Sequence, residues 1–190
     1  MNLIITDFDG TLFDTFEAHY ASYKDALNYY GFDLDKDKYK ELFGLPTDEI
    51  LRKSNIPADM FQNIKNRKVS IYKNYMDLVT INNTLYGTLY HCYDDNKKVV
   101  IASNGSIQNM NIVLNHFTNK GYDMDIFDGI YSINDYDFPN KKSLFTKILI
   151  DFDCQAWDAL LYEDSLKSIQ YAIELGMFYI DVTGKSYYYK

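Results

Sequence analysis

Two carboxylates spaced two residues apart, Asp7 and Asp9, follow directly on the apolar run Leu3-Ile4-Ile5 and lead into Gly10-Thr11-Leu12. Alternate side chains of an extended chain leave on the same side, so both carboxyls can converge on one ligand at the end of a buried strand. Carboxylates so placed can hold a hard cation, attack as nucleophiles or exchange protons. Asp and Gly are also ordinary turn residues, and taken alone the pattern admits that plainer reading.

Three further points in the chain place reactive types at similar junctions. The run Lys98-Val99-Val100-Ile101-Ala102 ends in Ser103-Asn104-Gly105-Ser106, ahead of a helical pattern through Ile107, Met110, Val113, Leu114 and Phe117. The free amides of a helix start bind phosphate, although the same residues serve equally as a turn and cap. Asp158 to Tyr162 reads as a strand ending in Glu163-Asp164-Ser165. Asn140-Lys141-Lys142 brings cations to the start of a helical pattern at Leu144, Phe145, Ile148 and Leu149, where a lysine pair is commonly a solvated surface feature.

The elements that must position these residues alternate. Strand signals at 2–7, 98–102, 128–131, 158–161 and 177–181 separated by helical patterns predict an α/β fold, a Rossmann-like, mainly parallel sheet sandwiched by helices. Between Thr15 and Asn82 helical periods replace strands: Glu17 to Tyr30, Lys36 to Phe43, Thr47 to Lys53, and a long helix from Ala58 to Met76. A helical insert is therefore expected between the first two reactive junctions.

The 190 residues suffice for one sizeable core plus a small insert, and 47% hydrophobic with 24% charged residues is ordinary for a globular chain. Cys92 and Cys154 have neither metal nor redox spacing. With no leader pattern and no membrane-length apolar run, a cytoplasmic location is expected. The formal charge of −8 disfavours an extended nucleic-acid surface, leaving local basic patches such as Lys65 to Lys68 open.

Taken together, Asp7-Phe8-Asp9-Gly10-Thr11-Leu12, Ser103, the lysine pair and Glu163-Asp164-Ser165 resemble, in order, the four motifs of the haloacid dehalogenase superfamily. The details are most similar to its β-phosphoglucomutase and phosphoglycolate phosphatase branch: Asp14-Thr15 then Glu17-Ala18-His19, Phe43-Gly44-Leu45-Pro46-Thr47, and Tyr86-Gly87. The resemblance implies a core of residues 1–14 and 83–190 with a mobile helical cap at 15–82, hinged near Thr15 and Asn82. It implies a phosphomonoesterase acting on a small phosphorylated metabolite such as a sugar phosphate, phosphoglycolate or a nucleoside monophosphate, with a monomer as the default.

By the same resemblance Asp7 is the nucleophile and Asp9 the acid and base, a role that calls for a carboxyl raised toward neutrality by neighbouring negative charge. Mg2+ is then held by the Asp7 carboxylate, the Asp9 carbonyl and Asp164, with Glu163 beside or on it. Ser103 and the amides near Asn104 and Gly105 hold the phosphoryl oxygens, with Gly10 and Thr11 in the phosphate-binding turn. Lys141, or else Lys142, neutralises Asp7 and the phosphate, and His19 is a hinge or substrate contact. A carboxylate at Asp9 favours phosphate chemistry over dehalogenation. Thr47 and Ser106 stand where the branch's mutases carry basic residues, and Pro139 precedes the lysines where the branch has a proline after its lysine. A phosphomutase and a non-catalytic binder are the alternatives. His91, His116, Glu17, Trp157 and the tail Tyr187-Tyr188-Tyr189 receive no role, and residues 186–190 are expected to fray.

Overall fold

In the computed structural model, which describes residues 1–184, the apolar run after Met1 forms strand β1 (Leu3–Thr6) at the centre of a five-stranded sheet. A strand covered on both faces reads as a near-continuous apolar run, here Leu3-Ile4-Ile5, and all four residues of β1 are buried. It pairs in parallel with β4 (Lys98–Ser103) on one side and β6 (Ala159–Glu163) on the other, Thr6 lying opposite both Ile101 and Tyr162. Outer strands β5 (Gly129–Ser132) and β7 (Phe178–Asp181) complete the order β5-β4-β1-β6-β7, all parallel.

The two faces of the sheet seed separate layers. Ile4, Val99 and Ile101 pack with Leu85 and Leu89 of α5 (Asn83–Asp94) and with Met110, Val113 and Phe117 of α6 (Ile107–Asn119). Leu3, Ile5, Val100 and Leu161 face the opposite way, onto Leu144, Phe145 and Ile148 of α8 (Lys141–Asp151) and Ala172 of α9 (Leu166–Leu175). The register thus brings the carboxyl ends of β1, β4 and β6 side by side, at the edge where open α/β sheets take ligands. The one-turn helix α7 (Ile133–Tyr136) follows β5 at the same edge.

Between β1 and α5 the chain leaves the sheet. Helices α1 (Phe16–Tyr29), α2 (Lys36–Leu42), α3 (Thr47–Lys53) and α4 (Phe61–Tyr72) enclose an apolar cluster of their own, built on Tyr23, Leu27, Leu34, Tyr39, Leu51 and Ile64. The connections are tied by a short antiparallel ribbon of β2 (Phe13–Asp14) and β3 (Thr80–Ile81), too short to leave a sequence period. The long helix expected from Ala58 to Met76 is instead α4 between two tighter 3-10 segments, Ala58–Met60 and Lys73–Leu78. Winding tightens at Lys73–Leu78 as the chain passes from the insert to the sheet, where Met76 and Val79 join the core.

The local basic patch left open at Lys65 to Lys68 is largely neutralised. Lys68 is buried, Lys65 pairs with Asp48 and Arg67 pairs with Asp25, because α4 packs along α1 and turns these side chains toward acids and rings of the insert. No helix among the described residues is long and apolar enough to cross a membrane. The tail Tyr187-Tyr188-Tyr189 and the expected fraying of 186–190 lie outside the described residues.

Ile5 is fully buried at the sheet centre, whereas Ile150 on α8 is 70% exposed. Ile5→Ala is expected to lower the urea-unfolding free energy by about 2–5 kcal/mol through the cavity it opens. Ile150→Ala is expected to change it by less than about 0.5 kcal/mol.

Candidate active site

At the carboxyl end of β1, Asp7 is buried and its backbone N–H donates to the Tyr162 carbonyl at 2.9 Å, which continues the strand one residue past Thr6. The chain must then turn sharply, and it does so at Gly10 with φ +89. A Cβ on Gly10 would meet Asp164 Oδ2 at 2.6 Å, so only glycine lets the turn and the β6 carboxylate coexist. Thr11 Oγ1 donates to Asp164 Oδ1 at 3.1 Å and fixes that carboxylate against the turn.

Asn140 caps α8 by accepting from the Ser143 N–H, and the next residue, Lys141, projects into the protein. Its Nζ donates to Asp7 Oδ1 at 2.5 Å and to Glu163 Oε2 at 2.7 Å. Lys142 lies on the outer face and pairs with Glu174 instead. Burial works against the Lys141 charge, but Asp7 and Glu163 outweigh it and hold the ammonium protonated. One cation cannot compensate two carboxylates, and Asp7 is pushed well up by burial and by Glu163 against the pull of Lys141. Glu163 Oε1 also accepts from the backbone N–H groups of Asp164 and Ser165, so this side chain orients both Lys141 and the turn after β6.

Carboxylate oxygens of Asp7, Glu163 and Asp164 lie within 4.8 Å of one another. Burial and Glu163 raise Asp164 to about 6, as expected where acids crowd without enough positive charge. Three carboxylates facing one ammonium leave two negative charges over, and the donors are all oxygen. The set fits a hard divalent cation.

Asp9, two residues on from Asp7, occupies the opposite electrostatic setting. Its Oδ1 accepts from Thr15 Oγ1 at 2.6 Å and lies 3.3 Å from His19 Nε2, while Oδ2 lies 3.4 Å from Ser103 Oγ. Burial pushes Asp9 up, but the His19 and Thr15 hydrogen bonds and the Lys68 charge prevail and hold it below the usual carboxylate range. The sequence reading expected the reverse. The reason is that Thr15, His19 and Lys68, none adjacent to Asp9 in the chain, supply hydrogen bonds and positive charge to its carboxylate.

Those neighbours form a short relay. Lys68 Nζ lies 2.9 Å from His19 Nδ1, and burial lowers Lys68 to about 8. Burial and Lys68 also lower His19, which favours the uncharged ring, with Nδ1 facing Lys68 Nζ and Nε2 facing Asp9 Oδ1 and the Tyr72 hydroxyl. Tyr72 stacks on the ring, centroids 4.6 Å apart. Sequence reasoning named His19 but missed Lys68, Tyr72 and Thr15. One signal was available: Ile64, Lys68 and Tyr72 recur at helical spacing, which puts a lysine on the apolar stripe of α4.

Ser103 closes β4 with its hydroxyl buried and accepting from the Gly105 N–H at 2.9 Å. Ser106 caps α6, its Oγ accepting from the Asn109 N–H. Asn104 is exposed, and its carbonyl accepts from Asn134 Nδ2 at 2.6 Å. Every position singled out from the sequence except Lys142 thus gathers around Asp7 and Asp9, at the junction of the sheet edge with the insert.

Comparisons with known proteins identify the fold and the family. The model of the haloacid dehalogenase-like hydrolase family matches residues 4–182. Enolase-phosphatase E1 of Clavispora lusitaniae (strain ATCC 42720) is 25% identical over 205 residues, covering 93% of this chain and 87% of its own. Among solved structures, a predicted phosphoglycolate phosphatase from Haemophilus somnus 129pt superposes with TM-score 0.80 at 16% identity, over 94% of this chain and 84% of that one. β-Phosphoglucomutase of Clostridium difficile gives 0.75 at 22% identity, over 94% and 83%. With the family match spanning both the sheet and all of the acidic residues at its edge, the chain belongs to the haloacid dehalogenase-like hydrolase family.

Proposed function

We propose that this protein is a magnesium-dependent phosphomonoesterase that hydrolyses a small phosphorylated metabolite through an aspartyl-phosphate on Asp7. One observation carries the reading: Asp7 and Asp9 stand at one strand end in opposite environments, Asp7 against Lys141 at 2.5 Å and Asp9 against His19, Thr15 and Ser103. The nucleophile must be ionised and the acid protonated, the reverse of the shifts that the protein's own groups impose; a divalent cation on the Asp7, Glu163 and Asp164 oxygens lowers Asp7, and a phosphate dianion beside Asp9 raises Asp9.

In this scheme the Asp7 carboxylate attacks phosphorus, and the ester P–O bond breaks as the acyl phosphate forms. Asp9 gives its proton to the departing alkoxide. It then takes a proton from the water that attacks the acyl phosphate, releasing inorganic phosphate and free Asp7. Asp9 starts from a state biased toward the carboxylate, and a phosphate dianion brought beside it reverses that bias. Lys141 offsets charge on Asp7 and the phosphoryl oxygens, while Ser103 and nearby amides of the turn, including Gly105, donate to those oxygens. Magnesium, held by Asp7, Asp164 and the Asp9 carbonyl, would supply charge neutralisation at the phosphoryl group. Residues 15–82 act as a cap that excludes water, supported by their separate apolar cluster and by the relay from α4 to Asp9.

Phosphate release from a panel of phosphomonoesters is expected to require Mg2+ and to vanish in Asp7→Asn. Asp9→Asn is expected to bind Mg2+ and phosphate while turnover falls by about 100-fold or more; near-normal hydrolysis would remove Asp9 from the acid and base role. A carboxyl raised in the folded state favours folding below its unfolded pKa, and that contribution is lost as pH rises through its folded pKa. Because Asp164 is raised to about 6, the unmetallated protein bears this penalty at neutral pH. Mg2+ is therefore expected to raise Tm at pH 7.5, with the increment shrinking below about pH 6 as protons compete for the same oxygens, measured by thermal unfolding.

A further inference from the structure

The turn that follows β4 is gripped from outside by the one-turn helix α7. Asn134 Nδ2 donates to the Asn104 carbonyl at 2.6 Å, and Asp135 Oδ2 accepts from the Ile107 N–H at 2.9 Å. These bonds straddle Gly105 and Ser106, so neighbouring side chains of α7 hold the turn before and after its bend. α7 is itself anchored at both ends. Ser132 Oγ accepts from the Asp135 N–H at 3.2 Å, and the Phe138 N–H donates back to the Ile133 carbonyl at 3.1 Å, past Asp137 with φ +54.

A peptide group is planar and trans, so its carbonyl and its N–H point in opposite directions. The Asn104 carbonyl and the Gly105 N–H belong to one such group, and both ends are bound: the carbonyl by Asn134, the N–H by Ser103 Oγ at 2.9 Å. Fixing the carbonyl therefore fixes where the amide aims. A Ser103 hydroxyl that accepts from this amide keeps its own proton for another acceptor, and Asp9 Oδ2 stands 3.4 Å away. Donation to the carbonyl also polarises the amide and strengthens the bond it gives in turn. A line of hydrogen bonds thus runs from Asn134 through the 104–105 peptide to the Ser103 hydroxyl.

We propose that Asn134 is a positioning residue for phosphoryl transfer: by holding the Asn104 carbonyl it sets the Gly105 amide and, through it, aims the Ser103 hydroxyl at the phosphoryl oxygens. This rests on the phosphomonoesterase reading above. Donors already aimed need no reorganisation when charge shifts onto those oxygens, so their effect is larger in the transition state than in the bound ester. It belongs in kcat rather than in KM. Asn134 is also exposed between two cavities and lines both, the one over Asp7 and one of about 400 Å³ past Asp9. Direct contact with the substrate is therefore the competing role, and it gives the opposite split.

The test uses the full chain with Mg2+ and the fastest ester of the phosphomonoester panel. Asn134→Leu removes the donor at an exposed position, and Asn134→Gln keeps one. In Asn134→Leu kcat is expected to fall about 10–100-fold with KM held within about threefold. Orthovanadate, which can take up the five-coordinate geometry of the transferring group, is expected to inhibit this variant more weakly by a similar factor, while inhibition by inorganic phosphate changes by less than about threefold. Asn134→Gln is expected to recover most of the lost kcat. A kcat for Asn134→Leu within about threefold of the unaltered protein, a loss carried by KM alone, or an Asn134→Gln no faster than Asn134→Leu overturns the inference. A lower kcat with both inhibition constants unmoved, the mark of a smaller active fraction, overturns it as well. In each of these the unaltered protein still releases phosphate and the phosphomonoesterase reading stands. Failure of the unaltered protein to release phosphate from any ester overturns that reading and this inference with it.

Discussion

The ammonium of Lys141, buried between Asp7 and Glu163, is the interaction on which the rest of the site depends. It joins three segments far apart in the sequence: the end of β1, the end of β6 and the start of α8. Removing one partner from a buried ion pair typically costs about 3–5 kcal/mol, because the remaining charge has no solvent to turn to. The triad therefore constrains the strand ends to their observed spacing. It also leaves a surplus of negative charge with Asp164, and the same feature that fixes the geometry gathers oxygen donors that could hold a divalent cation.

From that constraint follows the asymmetry of the two aspartates. Asp7 faces Glu163, which adds negative charge, while Asp9, just before the Gly10 turn, faces Thr15, His19 and Lys68. Only Phe8 separates them in the chain, yet their proton affinities move in opposite directions. Gly10 makes this possible through a left-handed turn and a bare Cα against which the Asp164 carboxylate rests.

The insert also reaches the site electrostatically. Through α4 it delivers Lys68 and Tyr72 to His19, and through His19 to Asp9, so the electrostatic state of a residue on the sheet is set partly by a helix from elsewhere in the chain. Aromatic side chains of the insert face amides of the sheet edge across one cavity, which makes its position a determinant of what fits there.

By itself the sequence determined the sheet, its order of strands and helices, and the residues at the strand ends. Leu3-Ile4-Ile5 and Val99-Val100-Ile101 are continuous apolar runs that only a doubly covered parallel strand explains, and Asp7, Ser103, Glu163 and Asp164 inherit their places from them. The ribbon of β2 and β3 left no trace, since two-residue strands have no period. Tertiary structure alone decided which lysine enters the site, because Lys141 and Lys142 are adjacent in sequence and differ only in the face of α8 they occupy. It likewise decided the state of Asp9 and the burial of Lys68. A side chain's proton affinity is a sum over neighbours brought together from distant segments, and local pattern records the identity of a residue but not the charges that will surround it.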